Sequence, residues 1–83
     1  MNEYKKFSTK IKKGIEEFVK IDSSAKIPEN IFIASFSYIS ENAEIGENCQ
    51  IYPNVFIGKN VKIGKNCIIY SGVNIYDDCI VGD

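Results

Sequence analysis

The 83-residue chain contains no histidine and no tryptophan, and it has only three cysteines and two prolines. Histidine is the side chain that most readily exchanges protons near neutral pH, so its absence removes the usual general base. An odd number of cysteines without a close pair argues against a disulfide framework and against a zinc site. We therefore predict no catalytic, cofactor or metal site in these residues, and a reducing, cytoplasmic location.

Long apolar runs and a strong excess of one charge are also missing. No run approaches the ~18 apolar residues of a transmembrane helix, and the N-terminus lacks the apolar stretch of a signal peptide. The net charge is −1, which favours neither nucleic-acid binding nor stable membrane insertion. A chain of this size has a small core, so repeats or oligomerisation are expected to support it.

Aliphatic residues recur every six positions from residue 21 onward. The series is Ile21, Ile27, Ile33, Ile39, Ile45, Ile51, Ile57, Ile63, Ile69, Ile75 and Val81. A second small or aliphatic series follows four positions later, Gly often follows the first series, and Asn often lies three positions after it. A period of six does not fit a helix. It predicts short strands joined by corners in which Asn or Gly takes a left-handed backbone conformation.

Similar residues also recur at a spacing of 18, which predicts three strands per coil. Tyr52 and Tyr70 are one such pair, and Lys26, Glu44 and Lys62 form a series of alternating charge. Stacked coils lie ~4.8 Å apart, so these charges would form a ladder on one face. The sequence predicts an all-β parallel β-helix over residues 21–83, which at 18 residues per coil makes about three and a half coils.

The N-terminal segment follows a different pattern. Apolar residues recur at spacings of three or four in residues 3–18, and lysines occupy the positions between them. The apolar series is Tyr4, Phe7, Ile11, Ile15 and Phe18. This pattern predicts a short amphipathic α-helix within residues 1–20. It either caps the open first coil, which we favour, or binds a membrane surface or an acidic partner.

Several residues with reactive side chains have simple structural interpretations. Cys49 and Cys67 lie in the inward series, where we expect them to be core residues with raised pKa values. Asp77 and Asp78 are adjacent at a corner, and we expect them to point apart into water. Phe36 occupies a corner position where Asn is expected, which indicates either a distorted corner or a residue that faces a partner.

Two stretches carry a resemblance to a known superfamily. The residues Ile45-Gly46-Glu47-Asn48 and the stretch 57–66 are typical of hexapeptide acyltransferases. More narrowly, residues 33–39, 51–58 and 70–76 resemble the early coils of UDP-3-O-acylglucosamine N-acyltransferases. The lead-in at residues 12–16 is similar to the junction that precedes the β-helix in that family. The resemblance implies a left-handed helical sense, which the spacing alone does not give.

The same resemblance implies a function for a longer protein. That family transfers a hydroxyacyl group from acyl carrier protein to the amine of a UDP-glucosamine derivative in lipid A biosynthesis. Its enzymes are homotrimers with active sites between neighbouring β-helices. Their catalytic histidine corresponds to positions beyond Asp83, and their uridine-binding aromatic residues to positions before residue 1. The chain is therefore expected to be a truncated scaffold segment, inactive alone.

Apolar side chains at outward positions provide the candidate site. We predict a trimer contact formed by Phe32, Tyr38, Phe56, Ile68, Tyr52 and Tyr70. An apolar patch on a small domain usually marks a contact surface, and homo-oligomers commonly cover such patches. A groove for substrate or acyl chain is the alternative for the same residues. Two alternatives for the whole chain also stay open: a non-catalytic β-helix interaction module, and another hexapeptide transferase.

Overall fold

The structure, a computed structural model, describes residues 14–82, which form a parallel β-solenoid of about four turns. Each strand is two residues long, and four-residue connections separate most of the strands. The eleven strands are β1 Gly14–Ile15, β2 Lys20–Ile21, β3 Phe32–Ile33, β4 Tyr38–Ile39, β5 Glu44–Ile45, β6 Gln50–Ile51, β7 Phe56–Ile57, β8 Lys62–Ile63, β9 Ile68–Ile69, β10 Asn74–Ile75 and β11 Ile80–Val81. Within this range no helix is present that could cross a bilayer.

The strands form three sheets along the solenoid. The first sheet has the order β1-β3-β6-β9, the second has the order β10-β7-β4-β2, and the third has the order β11-β8-β5. Every pairing is parallel and joins residues 18 positions apart, as in Ile33 with Ile51. The predicted parallel β-helix with three strands per coil is therefore confirmed.

The core is a stack of inward-pointing isoleucines. Ile33, Ile39, Ile51 and Ile57 are all completely buried. Small residues of the second series, such as Ala43, fill the corners between them. Burial of each large aliphatic side chain contributes ~1.5–3 kcal/mol, so this ladder is the main hydrophobic contribution to stability.

The corners use the left-handed backbone conformation that the sequence predicts. Asn42, Asn48, Asn54, Asn60 and Asn66 have φ between 58° and 64°. Asn tolerates this conformation better than other non-glycine residues do, which explains why it recurs there.

Other residues take the same conformation at the remaining corners, except at Ser24 and Asn30, where φ is not positive. Gly72 and Asp78 have φ values of 80° and 66°. Phe36, with φ of 68°, has the same backbone conformation as the Asn corners, so its corner is not distorted.

The helix predicted at the N-terminus is wrong for residues 14–18. Gly14 and Ile15 form β1, and Phe18 occupies a left-handed corner with φ of 63°. Ile15 lies six residues before Ile21 and so continues the strand repeat. The solenoid therefore already includes residues 14–20, ahead of the boundary predicted at residue 21. The rest of the predicted helix, residues 3–13, lies outside the described residues.

Glycine is required where neighbouring coils come closest. A Cβ atom on Gly46 would lie 2.6 Å from the carbonyl carbon and oxygen of Gly64. A Cβ on Gly58 would lie 2.5 Å from Asp77 Oδ1 and 2.7 Å from the Asp77 nitrogen. Gly82 has open space around the same position. The recurrent Gly after the inward isoleucine thus reflects backbone contact between coils.

Replacement of Gly46 by alanine is expected to destabilise the protein by ~1–3 kcal/mol, because the methyl group meets backbone atoms that cannot move aside. Gly82→Ala is the matched control, and we expect it to change the free energy of unfolding by less than ~0.5 kcal/mol. Urea denaturation followed by far-UV circular dichroism measures both. Equal stabilities for the two variants would contradict the close approach of the coils at Gly46.

Candidate subunit-contact surface

The predicted contact residues lie on two sheets and on the corner between them. Tyr38 and Phe56 point outward from the second sheet, where they pair in register with ring centroids 5.4 Å apart. Their exposed fractions are 41% and 38%. Two apolar rings that touch each other yet remain open to solvent on one side form an exposed apolar face. We call this pair the second-sheet aromatic face.

The corner that leads from the first sheet to the second carries another aromatic pair. The rings of Tyr52 and Tyr70 pack edge to face with centroids 5.6 Å apart. Tyr52 is half-buried and Tyr70 is exposed. Ile68, on the first sheet, is also exposed. Five of the six predicted contact residues are therefore at least partly exposed, on two adjacent sheets and the corner between them.

Phe32 is the exception, because the expectation that it lies on an exposed surface is wrong. Its exposed fraction is 4% although it occupies an outward strand position. Its ring packs edge to face against Tyr52, with centroids 6.5 Å apart. An outward strand position thus does not by itself make a side chain accessible.

A buried hydroxyl group braces the corner that carries Tyr52. The Ser37 hydroxyl donates a hydrogen bond to the Tyr52 carbonyl at 2.9 Å and accepts one from the Val55 N–H at 3.2 Å. Ser37 is only 2% exposed. One side chain thereby pairs with a backbone carbonyl and a backbone N–H of the turn in the next coil.

The buried cysteines make the same contact at another corner. The Cys49 thiol donates to the Gly64 carbonyl, and the Cys67 thiol donates to the Gly82 carbonyl, 15 residues later in each case. Both cysteines are buried and free, as predicted. Burial raises the pKa of the Cys49 thiol above its ordinary value. A buried thiol with a raised pKa is a poor nucleophile.

The third sheet carries charged side chains at three successive outward positions and the exposed Ile80 at the fourth. Lys26 and Glu44 form an ion pair with 3.9 Å between Nζ and Oε2, and Glu44 lies in register with Lys62. The predicted ladder of alternating charge is therefore present. Exposed ion pairs of this kind contribute little stability. Their position gives the solenoid one charged side and one aromatic side.

The acidic residues at the corners are used for coil stacking. Asp77 Oδ1 accepts a hydrogen bond from the Lys59 N–H, and Asp78 Oδ1 accepts one from the Asn60 side-chain amide. The two carboxylates accept hydrogen bonds from different partners and do not form a dyad.

At another corner, hydrogen bonds from Ser24 lower the pKa of Asp22. Across residues 14–82 no three ligands of the His, Cys, Asp or Glu type converge as for a metal ion.

Sequence reasoning missed the aromatic pair formed by Phe18 and Phe36. Both residues occupy left-handed corners, and their rings stack with centroids 5.6 Å apart and an interplanar angle of 7°. Their spacing of 18 residues was the available signal. It was hidden because Phe18 also fits the spacing of an amphipathic helix.

These coils define the class of the protein, a parallel β-helix of the hexapeptide-repeat type. Residues 33–83 match the family model of the GMPPB C-terminal domain, and the chain belongs to this family. No curated protein matches the chain. The match establishes the left-handed β-helix architecture of this domain type and does not single out acyl transfer.

The Ser37→Ala variant removes this hydroxyl. We expect it to lower the free energy of unfolding by ~1–3 kcal/mol, because a buried N–H and a carbonyl lose their partner. Ser37→Cys should recover part of this loss, since Cys49 and Cys67 make the equivalent contact. Ser23→Ala, at an exposed position, is the control. Chemical denaturation of the three variants provides the comparison, and a neutral Ser37→Ala would contradict the bracing role of this hydroxyl.

Proposed function

We propose that this β-helix is the scaffold and subunit-contact segment of a homotrimeric N-acyltransferase that resembles the UDP-3-O-acylglucosamine enzymes. The observation that carries the proposal is the second-sheet aromatic face, because two exposed rings lie in register there. The sequence resemblance of residues 33–39, 51–58 and 70–76 supplies the link to that enzyme family.

The two sides of the solenoid differ in a way that supports a single contact surface. The aromatic side exposes Tyr38, Phe56 and Tyr70, whereas the third sheet exposes a charge ladder. Aromatic residues are enriched in the buried centres of subunit interfaces, and lysine and glutamate are depleted there. In the trimer, the aromatic side would face the neighbouring subunits and the charged side would face water.

The role proposed for this segment is to position groups and not to supply the base. Acyl transfer to an amine requires removal of a proton from the nitrogen, and the sequence contains no histidine. The family resemblance assigns that group to coils beyond this segment, together with the binding of acyl carrier protein and the UDP-amino sugar. The stacked coils of residues 14–82 would hold neighbouring subunits at a fixed spacing.

A second candidate function is equally compatible with the family match. Residues 33–83 match a domain described as C-terminal, which suggests a β-helix module that accompanies another domain. Such a module would serve assembly or interaction in a hexapeptide protein without acyl transfer. The second-sheet aromatic face would then be its binding surface for that assembly.

We expect the purified chain to sediment at three times the mass of one chain at micromolar concentration. The double variant Tyr38→Lys/Phe56→Lys should weaken association at least ~30-fold, since loss of central aromatic contacts costs ~2 kcal/mol or more. Tyr76→Lys/Ile80→Lys, at positions that are 73% and 78% exposed, is the matched control and should remain trimeric. Analytical ultracentrifugation distinguishes these outcomes, and a monomeric wild-type chain would contradict the contact role.

A chimera separates the two candidate functions. Residues 33–82 would replace the corresponding coils of an active UDP-3-O-acylglucosamine N-acyltransferase, and acyl transfer from hydroxyacyl carrier protein would be measured. We expect activity within ~10-fold of the parent, equivalent to ~1.4 kcal/mol in the activation free energy. A chimera that is trimeric but lacks activity would contradict the acyltransferase assignment and favour the assembly module. Coils from an unrelated β-helix provide the control graft.

A further inference from the structure

The corner that leads from the first sheet to the second carries an aromatic residue in each of the four coils. These residues are Phe18, Phe36, Tyr52 and Tyr70. Phe18 and Phe36 occupy the third position of the corner, and Tyr52 and Tyr70 occupy the first. Within each of these two pairs the ring centroids are 5.6 Å apart. We call this row of four rings the aromatic edge.

Charged residues are missing from the same corner in three of its four coils. The ranges 34–37, 52–55 and 70–73 contain no Lys, Arg, Asp or Glu, whereas the first coil has Glu16 and Glu17 at one end of the edge. Every other complete corner within residues 14–82 includes at least one charged residue. Those corners are 22–25, 28–31, 40–43, 46–49, 58–61, 64–67 and 76–79. Aromatic enrichment with depletion of charge distinguishes the buried centre of a protein interface from ordinary surface.

The backbone at Phe18 and Phe36 indicates that these rings have a contact beyond their own stacking. Their φ values are 63° and 68°, in the left-handed region that is strained for a bulky side chain. Asn54 occupies the same position of this corner in the third coil, with φ of 62°, so the repeat accepts a residue that suits this conformation. The two rings nevertheless remain 72% and 63% exposed. Strain that persists at exposed residues commonly accompanies a functional contact.

The shape of the aromatic edge favours a protein partner. A corner where two sheets meet is convex, whereas sites for small molecules are concave. With coils ~4.8 Å apart, the edge runs ~14 Å along the solenoid. A ridge of this length suits the surface of another folded chain.

The spacing of the coils indicates which kind of chain fits the edge. Each strand pairs in register with the strand 18 residues later, as Tyr38 does with Phe56, so the edge repeats at the coil step. A partner that contacts the edge in every coil must repeat at the same step. A second copy of this solenoid, aligned side by side with the first, has that step along its whole length.

The aromatic edge is continuous with the second-sheet aromatic face. Phe36 and Tyr38 are separated by one residue, so their Cα atoms lie at most ~7 Å apart. Both side chains are exposed, at 63% and 41%. A copy that covers Tyr38 is thus within reach of Phe36.

We propose that the aromatic edge is a contact surface between two copies of this chain, in which Phe18 and Phe36 pack against the neighbouring solenoid. The inference rests on the subunit contact of the proposed function and extends that contact from the second sheet to the corner. It assigns the strained phenylalanines to association between copies, and it does not depend on acyl transfer.

Sedimentation equilibrium of the full chain and of the Phe18→Asn/Phe36→Asn variant tests the proposal. Asn suits both corners, as it does at Asn54, and a cooperative urea transition shows that the variant is folded. We expect its association constant to fall at least ~10-fold, since truncation of aromatic anchors at the centre of an interface weakens binding by this amount or more. Tyr76→Asn/Ile80→Asn, at exposed positions away from the edge, is the matched control and should associate like the wild-type chain.

A second pair of variants leaves every ring in place. Ser71→Lys adds a charge to the edge at an exposed position, and Ser23→Lys adds the same charge at an exposed position of another corner. Only Ser71→Lys should weaken association, again at least ~10-fold, because burial of an unpaired charge in a contact is unfavourable. This pair keeps the test valid even where loss of the ring stack destabilises the first coil.

The outcomes separate this inference from the proposed function. Wild-type association constants in both Phe18→Asn/Phe36→Asn and Ser71→Lys would overturn the inference. The proposed function would survive that result if Tyr38→Lys/Phe56→Lys still dissociates the copies. A wild-type chain that stays monomeric would overturn the inference as well. Association in pairs that requires the edge would support it while contradicting the trimer of the proposed function.

Discussion

Parallel backbone hydrogen bonds between successive coils are the interaction on which the rest of this structure depends. The Tyr38 N–H donates to the Val55 carbonyl at 2.9 Å, and the Ser40 N–H donates to the Ile57 carbonyl at 3.0 Å. These bonds hold the coils at one spacing along the whole solenoid. Each corner must therefore turn within four residues and must tolerate a neighbouring corner in backbone contact, which only a few residue types allow.

The fold could be predicted because this constraint determines which residue types each position of the repeat can accept. Inward positions need aliphatic residues, and the closest approach needs Gly46 and Gly58. The N-terminal boundary could not be predicted in the same way. Ile15 and Phe18 satisfy both the spacing of a helix and the spacing of the coils, and composition alone does not choose between the two periods. Parallel pairing of Gly14 with Phe32 decides for the coil.

The candidate surface was only partly predictable, for a physical reason. The two-residue period of a strand predicts which side chains point outward, but it does not predict which of them are covered by neighbouring side chains. Phe32 and Tyr38 both point outward, yet their exposed fractions are 4% and 41%. Phe32 packs edge to face against Tyr52, a residue 20 positions later in the sequence. No pairwise spacing in the sequence encodes such a contact.

The corners show how one backbone conformation can serve two purposes. At Asn60 the side chain meets the conformational requirement and also donates a hydrogen bond to Asp78 in the next coil. At Phe36 the same conformation is strained, so the residue cannot have been favoured by the backbone. Its side chain must contribute through what it contacts. The stacked ring of Phe18, with centroids 5.6 Å apart, is such a contact.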